Sequence, residues 1–207
     1  MNNPIDMRNL KPFDVDQLVT IPSNYKDDLK EILIPHGLIE DRISKLSEEI
    51  GNKNLVTSKN LNEMYFAICI LRGASRFFHD LIKWPLEAEV DYWPAGSYSG
   101  TTSTGTVKLG NFDLTKISGR KVLLVEDIID TGRTLNKIRN EILSQNPRSL
   151  DIVCLLDKPS CRKVDVPVNY VGFIIPDEFV VGYGLDFNER YRDLNHIGVL
   201  KEEVYRK

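Results

Sequence analysis

Apolar residues in this chain fall into short runs, some with the spacing of strands and others with the spacing of helices. Continuous apolar runs predict strands over residues 65–71, 122–125, 150–156 and 168–175, and an alternating segment predicts another over 88–93. Helical spacing predicts helices over 38–50, 75–83 and about 134–144, with Gly51 ending the first of them. Strands that alternate with helices indicate an α/β fold with a mostly parallel sheet, whose ligands bind at the carboxyl ends of the strands.

Residues 97–111 (SYSGTTSTGTVKLGN) interrupt this pattern with small hydroxyl residues and glycines that have no apolar periodicity. Such a composition predicts a long mobile loop or a hairpin with a flexible tip, and a loop of this length is usually functional or disordered. The segment from Gly100 to Gly105 has the outline of a P-loop. Thr106 and Val107 follow it where Lys and Ser or Thr are required, so a nucleoside-triphosphatase interpretation fails.

Charge and composition narrow the possible partners. The 207 residues include 27 Lys and Arg against 30 Asp and Glu, a net charge of −3. This balance supplies no basic field for nucleic acid, so any phosphate must be bound by local geometry. No apolar run approaches the roughly 20 residues of a membrane span, and the three cysteines form no Cys-x-x-Cys pair. We expect one cytoplasmic domain over residues 1–207, with reduced thiols and neither nucleic acid nor membrane as a partner.

The most informative stretch of the sequence is 121–135 (KVLLVEDIIDTGRTL), where acidic, hydroxyl and glycine residues follow an apolar run. Glu126 and Asp127 follow an apolar strand directly, where they can accept hydrogen bonds from a vicinal diol or help to hold Mg²⁺. Asp130 stands three residues further on, beside the same ligand. Gly132 allows the backbone to approach that ligand closely, and the amides at the start of the next helix form a phosphate cradle.

Thr131 and Thr134 add hydroxyl donors to this cradle. An ordinary turn with acidic N-cap residues would explain one Asp and one Thr. It does not explain three carboxylates within five residues, and a functional interpretation is therefore favoured.

This stretch closely resembles the phosphoribosyl-pyrophosphate (PRPP) motif of type I phosphoribosyltransferases, especially those that use 6-oxopurine bases. The resemblance extends to residues 34–39 (IPHGLI) with Asp41 and Arg42, to 175–183 (IPDEFVVGY), to 185–189 (LDFNE) and to 192–196 (RDLNH), and it covers about 21–199. It implies a mostly parallel sheet flanked by helices, with a small hood subdomain made from the N-terminal and C-terminal segments. The implied reaction joins PRPP, with Mg²⁺, to hypoxanthine or guanine and gives the nucleoside monophosphate and pyrophosphate.

The resemblance also implies residue roles around PRPP. Asp130, Thr131, Gly132, Arg133 and Thr134 would hold the 5′-phosphate, and Asp130 would be the catalytic acid/base at purine N7. Glu126 and Asp127 would bind the ribose hydroxyls, and with Asp186 they would bind the metal. Arg72, Gly73 and Arg192 would contact pyrophosphate. Arg72 departs from the lysine usual in the family, which keeps the charge and changes its geometry.

The base-binding residues implied in the same way are Lys158, Phe179, Val180 and Asp186. Lys158 would donate to the 6-oxo group, although the sequence alone favours a solvated lysine at a strand end. Phe179 would stack on the purine, and the local pattern fits core packing equally well. Ser97 and Tyr98 would begin a mobile catalytic loop over about 97–111 that excludes water.

Some alternatives stay open at this point. The base pocket could prefer xanthine, or the chain could be a non-enzymatic PRPP-binding regulator, although Asp130, Lys158, Asp186 and Arg192 are all present. The resemblance implies a homodimer or a homotetramer and does not decide between them. The three histidines, His36, His79 and His196, lack the spacing of metal ligands and are expected to have surface or hydrogen-bonded roles.

Overall fold

The computed structural model describes residues 3–15, 21–53, 63–83, 85–97 and 107–206. The strands are β1 (Ile5–Asp6), β2 (Leu29–Ile34), β3 (Tyr65–Leu71), β4 (Ala88–Ser97), β5 (Val107–Leu109), β6 (Lys121–Ile129), β7 (Ser149–Asp157), β8 (Tyr170–Ile174), β9 (Val180–Val181) and β10 (Ile197–Leu200). The α-helices are α1 (Ser23–Lys26), α2 (His36–Lys53), α3 (Ser75–Leu81), α4 (Arg133–Leu143) and α5 (Glu202–Tyr205). Two 3₁₀ turns cover Leu114–Ile117 and Pro159–Cys161.

A seven-stranded sheet in the order β1-β8-β7-β6-β3-β4-β5 forms the centre of the molecule. Its neighbours pair in parallel except β4 and β5, which form an antiparallel pair. From β3 the chain moves outward to β4, and it then returns to the other side of β3 to place β6, β7 and β8. The direction of winding therefore reverses between β3 and β6, and such a switch point is where open α/β sheets bind ligands.

Helices cover both faces of this sheet because its central strands are apolar on both sides. On one face α2 and α3 bury Ile39, Ile43, Phe77 and Phe78 in the largest hydrophobic cluster. On the other face α4 buries its apolar stripe, which consists of Leu135, Ile138 and Ile142. Residues buried between sheet and helix contribute about 1.5–3 kcal/mol each for the larger apolar side chains, so this layering supplies most of the driving force for folding.

A smaller antiparallel sheet in the order β2-β10-β9 lies beside the main one and combines segments from both ends of the chain. Its residues pack in a separate cluster that includes Leu29, Ile32, Val181 and Tyr191. The Tyr191 hydroxyl donates to Asp28 at 2.6 Å and ties the loop before β10 to the segment before β2. The predicted fold class, a mostly parallel sheet flanked by helices with a small additional subdomain, is confirmed.

Several predicted boundaries are wrong in an instructive way. Strand β6 continues to Ile129, so Glu126 and Asp127 lie inside the strand and not after it. Helix α2 continues through Gly51 to Lys53. Antiparallel pairing of β4 with β5 bears out the hairpin alternative for 97–111, and residues 98–106 lie outside the described part of the chain.

The structure also bears on two further expectations, that the cysteines are reduced and that the chain has no membrane span. Cys69 and Cys154 are buried free thiols and Cys161 is a partly exposed one, as expected for reduced cysteines. Within the described ranges, no helix is both long enough and apolar enough to cross a bilayer.

We predict that Gly51→Ala destabilises the protein by about 1–3 kcal/mol, although Ala normally stabilises a helix interior relative to Gly. A Cβ at this position would lie 2.7 Å from the backbone nitrogen of Leu86, which cannot move aside as a flexible side chain could. Gly37 of the same helix has open space around it and gives the control, Gly37→Ala, which we expect to be neutral or stabilising. Urea unfolding of both variants tests this, and equal effects would contradict the close packing.

Candidate active site

The site begins where the ends of β3 and β6 meet at the switch point. Strand β3 ends at Leu71, the Leu71–Arg72 peptide bond is cis, and Gly73 follows. A Cβ added to Gly73 would overlap the Oδ2 atom of Asp127, so this acid fits against the loop only because position 73 has no side chain. The pairing of Cys69 with Val125 places the two strand ends side by side.

Burial dominates the electrostatics of the paired acids on β6. It raises the pKa of Asp127 to about 6, although a hydrogen bond from the Ile128 backbone amide, at 2.8 Å, and the charge of Arg192 favour the ionised form. Burial, together with the Asp127 charge, raises the pKa of Glu126 well above its ordinary value. The Oε2 atom of Glu126 is buried and has no hydrogen-bond partner in the described structure. Such an atom fits a hydroxyl donor or a divalent cation.

Arg192 contacts several groups of the loop that carries Asp186. Its Nη1 donates to the carbonyl of Gly184 at 2.8 Å, and its Nη2 lies 2.8 Å from Asp186 Oδ1. Gly184 packs so closely on the Gly73 carbonyl that a Cβ there would overlap the oxygen. The predicted pyrophosphate residues Gly73 and Arg192 are thus brought together through Gly184, with the predicted metal ligand Asp127 beside Gly73 and Asp186 beside Arg192.

The described residues contain no group of three or more His, Cys, Asp and Glu side chains that could hold a metal by themselves. Asp186 already forms an ion pair with Arg192 through Oδ1, and its Oδ2 accepts a hydrogen bond from the Glu189 backbone amide at 2.9 Å. The predicted ligands Glu126, Asp127 and Asp186 therefore do not form a complete cage. Mg²⁺ is commonly bound by one or two carboxylates together with substrate phosphates and water, and this arrangement fits that mode.

The predicted phosphate cradle lies at the start of α4. Gly132 caps the helix with a φ of +79°, and a Cβ there would overlap the Val164 carbonyl. The Thr131 carbonyl accepts from the backbone amides of Lys163 and Val164, both at 3.0 Å, which holds the loop in place from behind. The first amides of a helix have no backbone partner within it, and here the Arg133 amide makes only a long contact, 3.5 Å, to Thr131 Oγ1. An anion can therefore receive these amides together with the Thr131 and Thr134 hydroxyls.

Asp130 is exposed at the mouth of this loop. Its carbonyl accepts from Arg162 Nη1 at 3.1 Å, and Arg162 also pairs with Asp157 at the end of β7. Burial, together with the carboxylates of Asp177 and Asp130, raises the pKa of Cys161 to about 11. The contact from Arg162 thus ties the backbone of the predicted catalytic acid to the segment after β7.

Lys158 corrects the interpretation based on the sequence alone. The residue is only 8% exposed, so it is not a solvated strand-end lysine. Its backbone amide donates to the Ile129 carbonyl at 3.0 Å, which joins the ends of β6 and β7. Its ammonium group has no hydrogen bond or ion pair among the described residues. An ammonium group in this state can donate to an acceptor on a ligand.

Val180 begins β9 of the smaller sheet, and Phe179 directly precedes it. The Phe179 ring stacks on Tyr205 with centroids 4.6 Å apart and meets the edge of Phe187 at 5.6 Å. Val180 is buried and pairs with Val199 of β10. These contacts are those of an aromatic cluster, so stacking of Phe179 on a base stays a prediction.

Other residues singled out in the sequence are those of the predicted mobile loop and the histidines. Ser97 is the last residue of β4, and Tyr98 is outside the described residues. The His36 backbone amide donates to His196 Nδ1 at 3.0 Å, in line with the expected hydrogen-bonded role. Sequence reasoning missed Gly184, Cys161, Arg162 and Glu189, and only Glu189 stood inside a motif that had been singled out.

The fold and this site define an α/β protein of the kind that binds phosphorylated ligands at the switch point of its sheet. A family model described as a phosphoribosyl transferase domain matches residues 29–188. The chain belongs to this phosphoribosyl transferase domain family.

Individual relatives agree with the family match. Hypoxanthine-guanine phosphoribosyltransferases of Homo sapiens and Sus scrofa are each 39% identical to the chain over 205 residues, covering 92% of it and 89% of the relative. A solved hypoxanthine phosphoribosyltransferase from Staphylococcus aureus superposes with a TM-score of 0.76 at 40% identity, covering 89% of this chain and 98% of its own. The enzyme from Trypanosoma cruzi gives 0.77 at 34% identity, with coverage of 87% and 95%. The resemblance inferred from the motifs is confirmed.

We predict that Asp127→Asn stabilises the protein at pH 7.5 by about 1–3 kcal/mol and that this gain disappears near pH 4. The folded-state pKa of Asp127 is raised from 3.8 to about 6, so between these values the folded state binds more protons than the unfolded state. Stability from this group therefore falls as pH rises through that window, and the neutral amide avoids the loss. Urea unfolding at both pH values tests this, and a variant that is less stable at pH 7.5 would refute it.

Proposed function

We propose that this chain is a purine-salvage enzyme that transfers the 5-phosphoribosyl group from PRPP to hypoxanthine or guanine, giving IMP or GMP and pyrophosphate. One observation carries the proposal: a glycine loop, a pair of carboxylates and a lysine lie together at the carboxyl ends of neighbouring parallel strands. Gly73 follows β3, the carboxylates lie on β6 and a buried, unpaired Lys158 follows β7. Relatives named as hypoxanthine-guanine phosphoribosyltransferases support it.

The 5′-phosphate would occupy the start of α4. Thr131, Gly132, Arg133 and Thr134 would surround it with backbone amides, two hydroxyls and a guanidinium, and Asp130 stands at the rim. The positive φ of Gly132 turns successive amides toward one point, which is the geometry that anions favour. The phosphate would thereby fix one end of the substrate.

The ribose hydroxyls would donate hydrogen bonds to Glu126 and Asp127, and these two carboxylates together with Asp186 would help to hold Mg²⁺. When bound, the metal supplies positive charge that stabilises the departing pyrophosphate. A bound cation or diol donor also offsets the cost of ionising two buried acids, whose pKa values are raised by burial. Arg72 and Arg192 would hold the pyrophosphate itself, assisted by the Gly73 backbone.

The purine would lie between Lys158 and Phe179. The Lys158 ammonium would donate to the 6-oxo group, the partner that it lacks within the described protein. Phe179 would stack on the base with the face not covered by Tyr205, Val180 would contact the base edge, and Asp186 would lie near the 2-position. A 6-amino group donates hydrogen bonds and does not suit an ammonium, so adenine is excluded by this arrangement.

Asp130 would exchange the proton at purine N7 as the anomeric carbon moves from pyrophosphate to the base. The surrounding carboxylates stabilise the oxocarbenium character of the transition state, because they are fixed in place before the charge develops. Closure of the segment 97–111, which begins with Ser97 and Tyr98, would exclude water as a competing nucleophile. A homodimer or homotetramer in the cytoplasm stays the predicted state of the enzyme.

A steady-state assay of the purified protein with PRPP and Mg²⁺ against hypoxanthine, guanine, xanthine and adenine tests the proposed function. We expect pyrophosphate release with hypoxanthine and guanine. Turnover of adenine alone would contradict the proposed base pocket, and PRPP binding without release for any base would indicate a regulator.

We predict that Asp130→Asn lowers kcat by about 10²–10⁴-fold and leaves the Kd for PRPP little changed, because the amide keeps the shape but cannot take the N7 proton. Stopped-flow turnover and calorimetric PRPP binding measure the two effects separately. Asp41→Asn, at an exposed position of α2, removes the same charge elsewhere and should leave both constants unchanged. An unchanged kcat for the Asp130 variant would remove this residue from the acid/base role.

A further inference from the structure

One carboxylate, that of Glu189, joins the two arginines assigned to pyrophosphate. Its Oε1 lies 2.7 Å from Arg72 Nη2, and its Oε2 lies 3.3 Å from Arg192 Nη2. These arginines come from distant parts of the chain, the loop after β3 and the loop before β10. A single side chain therefore spans them in the way that a dianionic ligand would.

The backbone around Glu189 is built to hold this carboxylate in place. Glu189 has a φ of +62° and follows Asn188 at +50°, an arrangement uncommon for residues with side chains. Its amide donates to Asp186 Oδ2 at 2.9 Å, and backbone hydrogen bonds between Phe187 and Arg190 close the turn. The turn thus carries Glu189 toward the arginines, while Asp186 holds its backbone.

The side-chain contacts, in contrast, are easily exchanged. Arg72 and Glu189 are 69% and 60% exposed, and ion pairs in such positions are weak because water and salt screen them. Pyrophosphate with Mg²⁺ offers more charge and more acceptor oxygens to the same guanidinium groups. It can therefore replace Glu189 without disturbing the fold.

We propose that Glu189 is a built-in stand-in for pyrophosphate: it aligns Arg72 and Arg192 in the free protein and is displaced when the pyrophosphoryl group binds. The inference rests on the proposed function, because it assumes that these arginines receive pyrophosphate. Glu189 is a positioning residue that acts through the two arginines. Its effect on affinity is a competition, so removing its charge strengthens binding.

The test is the Kd for pyrophosphate in the presence of Mg²⁺, measured by titration calorimetry for the full chain and for Glu189→Gln. We expect the variant to bind about three- to tenfold more tightly, which corresponds to the loss of two weak competing ion pairs. The KM for PRPP should fall in the same direction. A merely structural role would produce weaker binding and a higher KM.

Glu63→Gln is the matched control. Glu63 also bridges two cations, Arg148 at 3.0 Å and Lys121 at 3.5 Å, and it lies at the opposite end of the sheet. The substitution removes the same unit of charge without touching the site. It should leave the Kd for pyrophosphate unchanged, so a gain seen in both variants would reflect net charge and would overturn the proposal.

A double variant tests whether the tighter pyrophosphate binding comes from the lost ion pairs with the arginines. In an Arg72→Gln background, where one of the two competing pairs is already absent, Glu189→Gln should improve binding by a smaller factor. An unchanged or weakened affinity of Glu189→Gln, with the parent protein binding normally, overturns this inference and leaves the proposed function standing. Absence of pyrophosphate and PRPP binding by the parent protein would instead refute the proposed function.

Discussion

The close contact of Gly73 with Asp127 is the constraint on which the rest of the site depends. Parallel pairing of β3 with β6 brings their ends together, and a missing side chain at position 73 leaves room for one acid. Gly184 then packs on the carbonyl of Gly73, and its own carbonyl receives Arg192. Two positions without side chains thus join the main sheet to the loop that carries Asp186 and Arg192. Any Cβ in this stack would separate the acids from the cations that they face.

Charge is balanced locally and not over the whole molecule. A net charge of −3 argues against nucleic acid, and it says nothing about a site in which acids and cations are placed next to each other. Burial raises the pKa values of Glu126 and Asp127, so the free protein bears a cost for keeping them on a central strand. Lys158 is largely buried without a partner in the described structure. The two buried acids destabilise the free protein and favour a ligand that supplies hydroxyl donors or a cation, and the apolar layers on both sheet faces offset this cost.

Sequence reasoning predicted the parts of the fold that local periodicity determines. Strand β3 was predicted to the residue because it is apolar throughout and is followed directly by Arg72 and Gly73. The end of β6 was misplaced because Glu126 and Asp127 look like loop residues, and only the pairing with β7 keeps them in the ladder. Gly51 looked like a helix stop, but it is a close contact with Leu86, which no local pattern reveals.

The site was predictable to a similar extent, and for related reasons. Asp130 to Thr134 stand together in sequence, so their clustering at the start of α4 follows from the motif. The bridge from Glu189 to Arg72, in contrast, joins residues 117 positions apart in the sequence, so no local pattern predicts it. The stack of Tyr205 on Phe179 likewise needs the C-terminal helix to return to β9. Such contacts arise only from tertiary packing.

A crystal structure of the protein with GMP, pyrophosphate and Mg²⁺ tests the central claim, that one strand-end site built on Gly73 and Asp127 holds all parts of the substrate. We predict the 5′-phosphate on the amides of residues 131–134, the guanine 6-oxo group within hydrogen-bonding distance of Lys158, and pyrophosphate between Gly73 and Arg192. A nucleotide bound with its phosphate away from the start of α4, or with its base away from Lys158 and Phe179, would contradict it.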